Sequence, residues 1–298
     1  MKETLLPTAM RIAAKRIPLG LGCALALTFP HLNATAQDDV NLGTANNFAV
    51  LAGSAITVTT AANALPSTVN ADIGSYPTPT VTGTSLVFLN GGVNETGDSG
   101  LMQTAKNDLA TAYGHAAGLT PTATIGSLTG ELGGLTLTPG VYNFTSSSAD
   151  LTGTLTLNDE GNPDAVFVFQ IGSTLTTASD SSVVEEDISS TGAITPDANP
   201  GMSVFWQVGS SAVLGTGTQF AGNILAYASI TDDSGSTVQG RLLAENAAVT
   251  LENTTINVPP AETAEEVGAP DTGSTLLLLG AGLSALCAFG RRFSVLLR

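Results

Sequence analysis

Cations are almost missing from the middle of this chain. Of nine Lys and Arg residues, Lys2, Arg11, Lys15 and Arg16 lie near the start and Arg291, Arg292 and Arg298 near the end. Between Asp38 and Asp271 only Lys106 and Arg241 remain, against 24 acids (25 less Glu3), so the net charge there is 2 − 24 = −22. A surface this acidic cannot neutralise phosphates, which excludes nucleic acid as a partner. Anionic membranes repel it too, and the charge serves solubility and mutual repulsion. The two cysteines, Cys23 and Cys287, both fall outside this region. The body therefore has neither disulfides nor thiol chemistry, and its stability must come from packing and backbone ladders. Its sole histidine, His115, cannot make a zinc site alone. Serine in a nucleophile-elbow setting is absent, as is a Gly-rich phosphate loop followed by lysine. No cofactor or metal is expected.

The two ends read as targeting segments. Residues 1–36 have a basic start, an apolar stretch from Leu19 to Phe29, and Ala34-Thr35-Ala36 as a small-x-small cleavage site. This is a signal peptide. Residues 259–268 form a proline-started acidic linker of disordered composition. Residues 269–298 carry Ala269-Pro270-Asp271-Thr272-Gly273-Ser274-Thr275, an apolar run from Leu276 to Phe289, and then Arg291-Arg292. The run is short for a stable span but adequate for a transient one, with the arginines holding its end in the cytoplasm. This tail resembles bacterial sorting signals of the exosortase (PEP-CTERM-like) type, which implies a membrane protease or transpeptidase as a partner. The body is thus expected outside the cell or at its surface, with transient or C-terminal membrane anchoring.

What fills residues 37–258 is Thr, Ser, Gly, Ala and Val in short alternating runs. Leu155, Leu157, Leu175, Val249 and Leu251 fall on one side of their strands, and Thr154, Thr156, Thr174, Thr176 and Thr250 on the other. Gly222-Asn-Ile-Leu-Ala recurs as Gly240-Arg-Leu-Leu-Ala, 18 residues on (240 − 222). Gln170-Ile-Gly-Ser recurs as Gln207-Val-Gly-Ser, 37 residues on (207 − 170), about twice that step. A period of 18 to 19 residues suits one coil of a three-sided β-solenoid with about six residues per side. One stretch, about 99–117, is helical instead: Asp98 or Ser99 caps it and Gly118 ends it. Leu101, Ala105, Leu109, Ala112 and Ala116 give it one apolar stripe. It is expected to cover one side of the solenoid, with His115 as an ordinary helix-surface residue.

Adjacent acids occur as Asp159/Glu160, Glu185/Glu186/Asp187 and Asp232/Asp233. Carboxylates on a β-helix can serve carbohydrate cleavage or hold calcium. However, neighbours on a strand point to opposite faces, and Arg241 alone is a thin supply of base. The chain reads as a non-enzyme.

Several ordered motifs then point to one family. They are Leu42-Gly-Thr-Ala-x-x-Phe-Ala-Val-Leu-Ala-Gly, Thr111-Ala-Tyr-Gly-His-Ala-Ala-Gly, Leu132-Gly-Gly-Leu-Thr-Leu-Thr-Pro-Gly-Val-Tyr, Ala165-Val-Phe-Val-Phe-Gln-Ile-Gly-Ser, Val204-Phe-Trp-Gln-Val-Gly-Ser-Ser and Phe220-Ala-Gly-Asn-Ile-Leu-Ala. Over about residues 42–256 the chain resembles the ice-binding (antifreeze) proteins of cold-adapted bacteria, fungi and yeasts. The resemblance implies a mostly β fold: a right-handed, discontinuous, triangular β-solenoid with one long helix packed alongside. It implies that Ile56–Thr59 neighbours Ala248–Glu252, and that a monomer adsorbs to an ice crystal surface through one flat face. Transferred position by position, that face comprises Thr57, Thr82, Thr176, Thr231 and Thr250, with Thr59, Thr174 and Ser229 as neighbours. Three features depart from the family pattern. Asp232 stands where an inward apolar residue is expected, Asp233 and Glu252 put charge near the face, and Leu214 takes a position often filled by threonine. The alternative is a cell-surface adhesin or matrix-binding solenoid without ice activity.

Overall fold

A computed structural model describes residues 40–62, 64–83, 86–125, 130–144, 146–162, 164–188, 194–196 and 203–259. Within them lie twenty-two strands, one α-helix and one short 3-10 helix. All strand pairings but one are parallel, as expected when each coil lies on the one before. The seven-stranded sheet makes one wall, and the fifteen-stranded sheet folds around the other two. The expected discontinuity is present. Ile56–Thr59 inserts between Val249–Glu252 and Val81–Gly83, so the first coil sits beside the last.

Alternation is what turns these strands into walls. Ile56, Leu155, Leu157, Leu175, Ala212, Ile230, Val249 and Leu251 are fully buried inside. Four of the aromatics form one internal column. Tyr142, Phe169 and Trp206 occupy one register position on successive strands. The Phe169 and Trp206 rings stack 3.9 Å apart, Tyr142 lies 5.6 Å from Phe169, and Phe220 caps the column 5.1 Å from Trp206.

The 18-residue echo is a true coil step, since Gln219–Ala226 pairs with Thr237–Ala244 residue for residue, Gly222 against Gly240. The 37-residue echo is not two coils. Gln170 lies directly beside Gln207. Ser182–Glu186 still stacks in parallel on Thr154–Asn158. The extra residues follow it, where the end of the Ser182–Ile188 strand turns back in an antiparallel pair with Ile194–Pro196. A sequence period cannot separate two coils from one coil carrying an excursion.

The glycine echo has a geometric cause. The two eight-residue strands pass from one wall to the next, and they turn at Gly222 (φ +120°) and Gly240 (φ +142°). A Cβ on Gly240 would stand 2.1 Å from the Gly222 carbonyl oxygen. Gly240→Ala combines a left-handed φ with a backbone clash and should cost about 2–4 kcal/mol, read from urea unfolding.

The helix runs Ser99–Gly118, one residue beyond expectation. Asp98 starts it by accepting the Gly100 and Leu101 amides at 3.1 and 3.0 Å. Met102, Ala105, Leu109, Ala112 and Ala116 form its buried stripe, so Met102 rather than Leu101 leads it. The stripe packs on Phe48, Leu51, Val168, Phe205, Leu225 and Leu243, covering one wall. The two echoed glutamines secure it. Gln170 Nε2 donates to the Ala116 and Leu119 carbonyls at 2.9 and 2.8 Å, and Gln207 Nε2 donates to the Tyr113 hydroxyl at 2.8 Å. His115 is exposed on the helix.

The expected signal peptide, the expected linker after Pro259 and the expected sorting tail lie outside the described residues. No helix among the described residues is long and apolar enough to cross a membrane.

Candidate functional site

The seven-stranded sheet runs, in spatial order, Ala149–Leu151, Leu175–Thr177, Ala212–Leu214, Ile230–Asp232, Val249–Glu252, Ile56–Thr59 and Val81–Gly83. Its register aligns one outward residue from each strand: Asp150, Thr176, Val213, Thr231, Thr250, Thr57 and Thr82. Four threonines thus stand side by side, with a fifth beyond Val213. Thr82 and Thr176 are exposed, and Thr57, Thr231 and Thr250 are half-exposed, each flanked by the next threonine along. All five positions transferred from the family lie in this one row.

The three neighbours divide. Thr174 and Ser229 belong to a second row two residues back, with Ser211, Ala248, Ala55 and Thr80, as the strand-entry amide bonds show. The Ser211 and Ser229 hydroxyls lie 2.9 Å apart. Thr59 is on the opposite flank, facing Glu252, and its hydroxyl bonds the Leu251 carbonyl at 3.3 Å.

Leu214 is corrected by the structure. It is fully buried, and the outward residue of its strand is Val213. A threonine-like position was read one residue late, and in a strand one residue reverses the face. Ser211, Val213 and Thr80 escaped the sequence reading. Stepping by two from Leu175–Thr177 across the coil boundary would have found them, had the coil length been known.

Asp232 is the inward exception that the sequence predicts, with no solvent exposure. Asp233 and Glu252 are half-buried, and Asp150 puts a carboxylate at one end of the row. The remaining row is uncharged. Both cations among the described residues lie away from it, in contacts on the helix side. Arg241 is buried against the Asn46 carbonyl and the Asn223 side chain at 3.0 and 2.9 Å. Lys106 donates to the Ala244 and Glu245 carbonyls at 2.6 Å, and burial pulls its pKa down to about 8.

The helix leaves this wall open, since no residue of the seven strands joins the cluster beneath it. A cleft of about 380 Å³ opens elsewhere, where Ser182–Ile188 parts from Gln219–Ala226, and Glu185 is its sole ionisable lining residue. Among the described residues no group of three His, Cys, Asp or Glu could hold a metal ion. The open wall offers aligned rows of methyls and hydroxyls on seven paired strands.

Comparison with known proteins bears on the same region. A family model described as ice-binding-like matches residues 50–257. A protein of Nostoc sp. (strain HG1) named ice-binding protein is 48% identical over 255 residues, covering 85% of this chain and 87% of that one. An ice-binding protein of Colwellia sp is 34% identical, covering 82% and 92%. The crystal structure of an ice binding protein from an Antarctic Biological Consortium aligns with a TM-score of 0.63 at 40% identity, covering 77% of this chain and 96% of that one. That of the Antarctic ascomycete Antarctomyces psychrotrophicus aligns with a TM-score of 0.59 at 32% identity, covering 75% and 100%.

Proposed function

The chain belongs to the ice-binding-like family, and on that premise we propose that it adsorbs to ice through the row Thr176, Thr231, Thr250, Thr57 and Thr82, with no turnover of a substrate. The observation that carries the proposal is the register: four consecutive strands bring threonine to the same outward position. Parallel strands stack roughly 4.8 Å apart, and residues i and i+2 lie roughly 6.7 Å apart. This grid is close to the spacing of water on ice planes.

Threonine suits the task because its χ1 is stiff. The methyl orders water into cages and the hydroxyl anchors them. A surface held by seven strands and a packed core loses little entropy on binding. Thr174, Ser211, Ser229 and Thr80 widen the grid on one flank, and Thr59 on the other. Adsorbed molecules pin the growing front, which bulges between them, and the curvature opposes further growth and recrystallisation. A monomer suffices, because the whole row belongs to one chain.

Slow growth of ice through a solution of the protein tests the reading. The protein is expected to concentrate in the solid and to slow recrystallisation. If it stays in the liquid, the reading fails, and an adhesin or matrix role on the same scaffold takes its place.

Export and sorting complete the proposal. It is supported by the basic, apolar and Ala34-Thr35-Ala36 elements at one end and by Pro270-Asp-Thr-Gly with its apolar run and arginines at the other. The protein would be released, or held at the surface, by the enzyme that cuts the tail. Mass spectrometry of the exported protein should show a start at Gln37 and loss of the segment after the sorting motif.

A further inference from the structure

We propose that Asp232 is a proton latch for the threonine wall: its neutral carboxyl keeps the Ile230–Asp232 strand docked, and loss of the proton loosens that strand and the Thr231 it carries. The geometry begins with the register. Asp232 shares its inward row with Leu214 and Leu251 on the flanking strands, both fully buried, and with Val58 beyond. It is itself without solvent exposure.

The carboxyl meets a corner lined with hydroxyls. Ser181, Thr218, Ser236, Thr254 and Ser67 occupy one register position on successive coils, and all are buried. Ser236 donates to Asp232 Oδ1, and the Thr254 hydroxyl stands beside the carboxyl. Oδ2 has no hydrogen-bond partner. Two hydroxyls cannot fill the four or so acceptor sites of a carboxylate, whereas a neutral acid needs fewer partners and carries its own donor.

The surrounding charges do not help an anion. Asp233, next in the chain, repels it. Glu252 follows Leu251 and points to the other face of its strand. Arg241, on the neighbouring Thr237–Ala244 strand, is engaged on the helix side. Burial is the largest influence on Asp232 and pushes its pKa up to about 7; the Asp233 charge adds to this, and the Ser236 and Thr254 hydroxyls oppose it. In an unfolded chain an aspartate ionises near about 3.9. The stabilising effect of the bound proton is therefore complete below that pH. It is lost as pH rises through the folded value near 7.

The test compares wild type with Asp232→Asn, an amide that imitates the neutral acid, by thermal unfolding between pH 5 and 9. The wild-type Tm should fall relative to that of the variant by roughly 5–15 °C across this range. Taking the difference removes the titration of Glu245 and Lys106, which both proteins share. Parallel curves would overturn the latch. If Asp232→Asn does not fold, ¹³C titration of the wild-type carboxyl decides instead: a midpoint near 7 supports the latch and one below about 5 refutes it.

Recrystallisation inhibition over the same pH range reports on the wall, and this arm rests on the ice reading. Wild type should weaken on the alkaline side while the variant holds. Inhibition that stays level while the Tm falls would confine the effect to the core and overturn the link to Thr231. A protein inactive at every pH, with the Tm difference intact, refutes the ice reading and leaves the stability part of the latch standing.

Discussion

Replacing Thr57 or Thr250 with tyrosine should raise the concentration needed for a given inhibition of ice recrystallisation at least about tenfold, a loss of roughly 1.4 kcal/mol or more per adsorbed molecule. The two residues face each other at the centre of the row, with Thr231 on one side and Thr82 on the other. A phenol at either position stands above its neighbours and lifts the grid from the surface it must match. Both side chains are half-exposed and pack on the outside of the wall. The stability cost should therefore stay within about 1 kcal/mol, so lost activity would not reflect unfolding.

The proper control is Thr255→Tyr. Thr255 also lies in an outward row of hydroxyls, between Thr237 and Thr68, but on the third wall. Its activity should remain near wild type. An equal loss in the Thr255 variant, with Thr57 and Thr250 variants unaffected, would move the ice-facing surface to that wall.

Trp206→Ala should destabilise the protein by about 3–5 kcal/mol, a large part of the 5–15 kcal/mol typical of a folded domain. Trp206 is fully buried, stacked on Phe169 and in contact with Phe220, and its indole donates to the Ala221 carbonyl at 3.1 Å. Truncation leaves a cavity in the aromatic column and deprives a buried carbonyl of its partner. The body lacks cysteine altogether, so no covalent link offsets the loss. Urea unfolding monitored by circular dichroism would measure it. Trp206→Phe, which keeps a ring in the stack, should cost less than half as much. Equal costs would mean that the ring contacts contribute little.

Much of this was legible beforehand because it is local. Thr and Leu alternate within a few residues, so the faces of Leu155, Thr156 and Leu157 followed from the pleat. Asp98 and the apolar steps of four and three marked the helix. Asp232 stood out because it broke the inward pattern of its own strand. What misled was distance. The 37 residues from Gln170 to Gln207 resemble two periods, and only the pairing shows that they are one coil with an antiparallel excursion at Glu186–Ile188 and Ile194–Pro196. Leu214 was misplaced for a related reason, since coils of unequal length shift the count and one residue changes the side.

Composition and alternation by themselves determined an acidic, disulfide-free body whose β strands carry leucine and valine inward and threonine outward. They could not decide which threonines stand together. Thr57 and Thr250 are 193 residues apart (250 − 57) and become neighbours only because the first coil closes against the last. That closure is settled by burial of Ile56 and Val58 against Val249 and Leu251. Such contacts depend on the whole chain being wound, and no short window of sequence contains them.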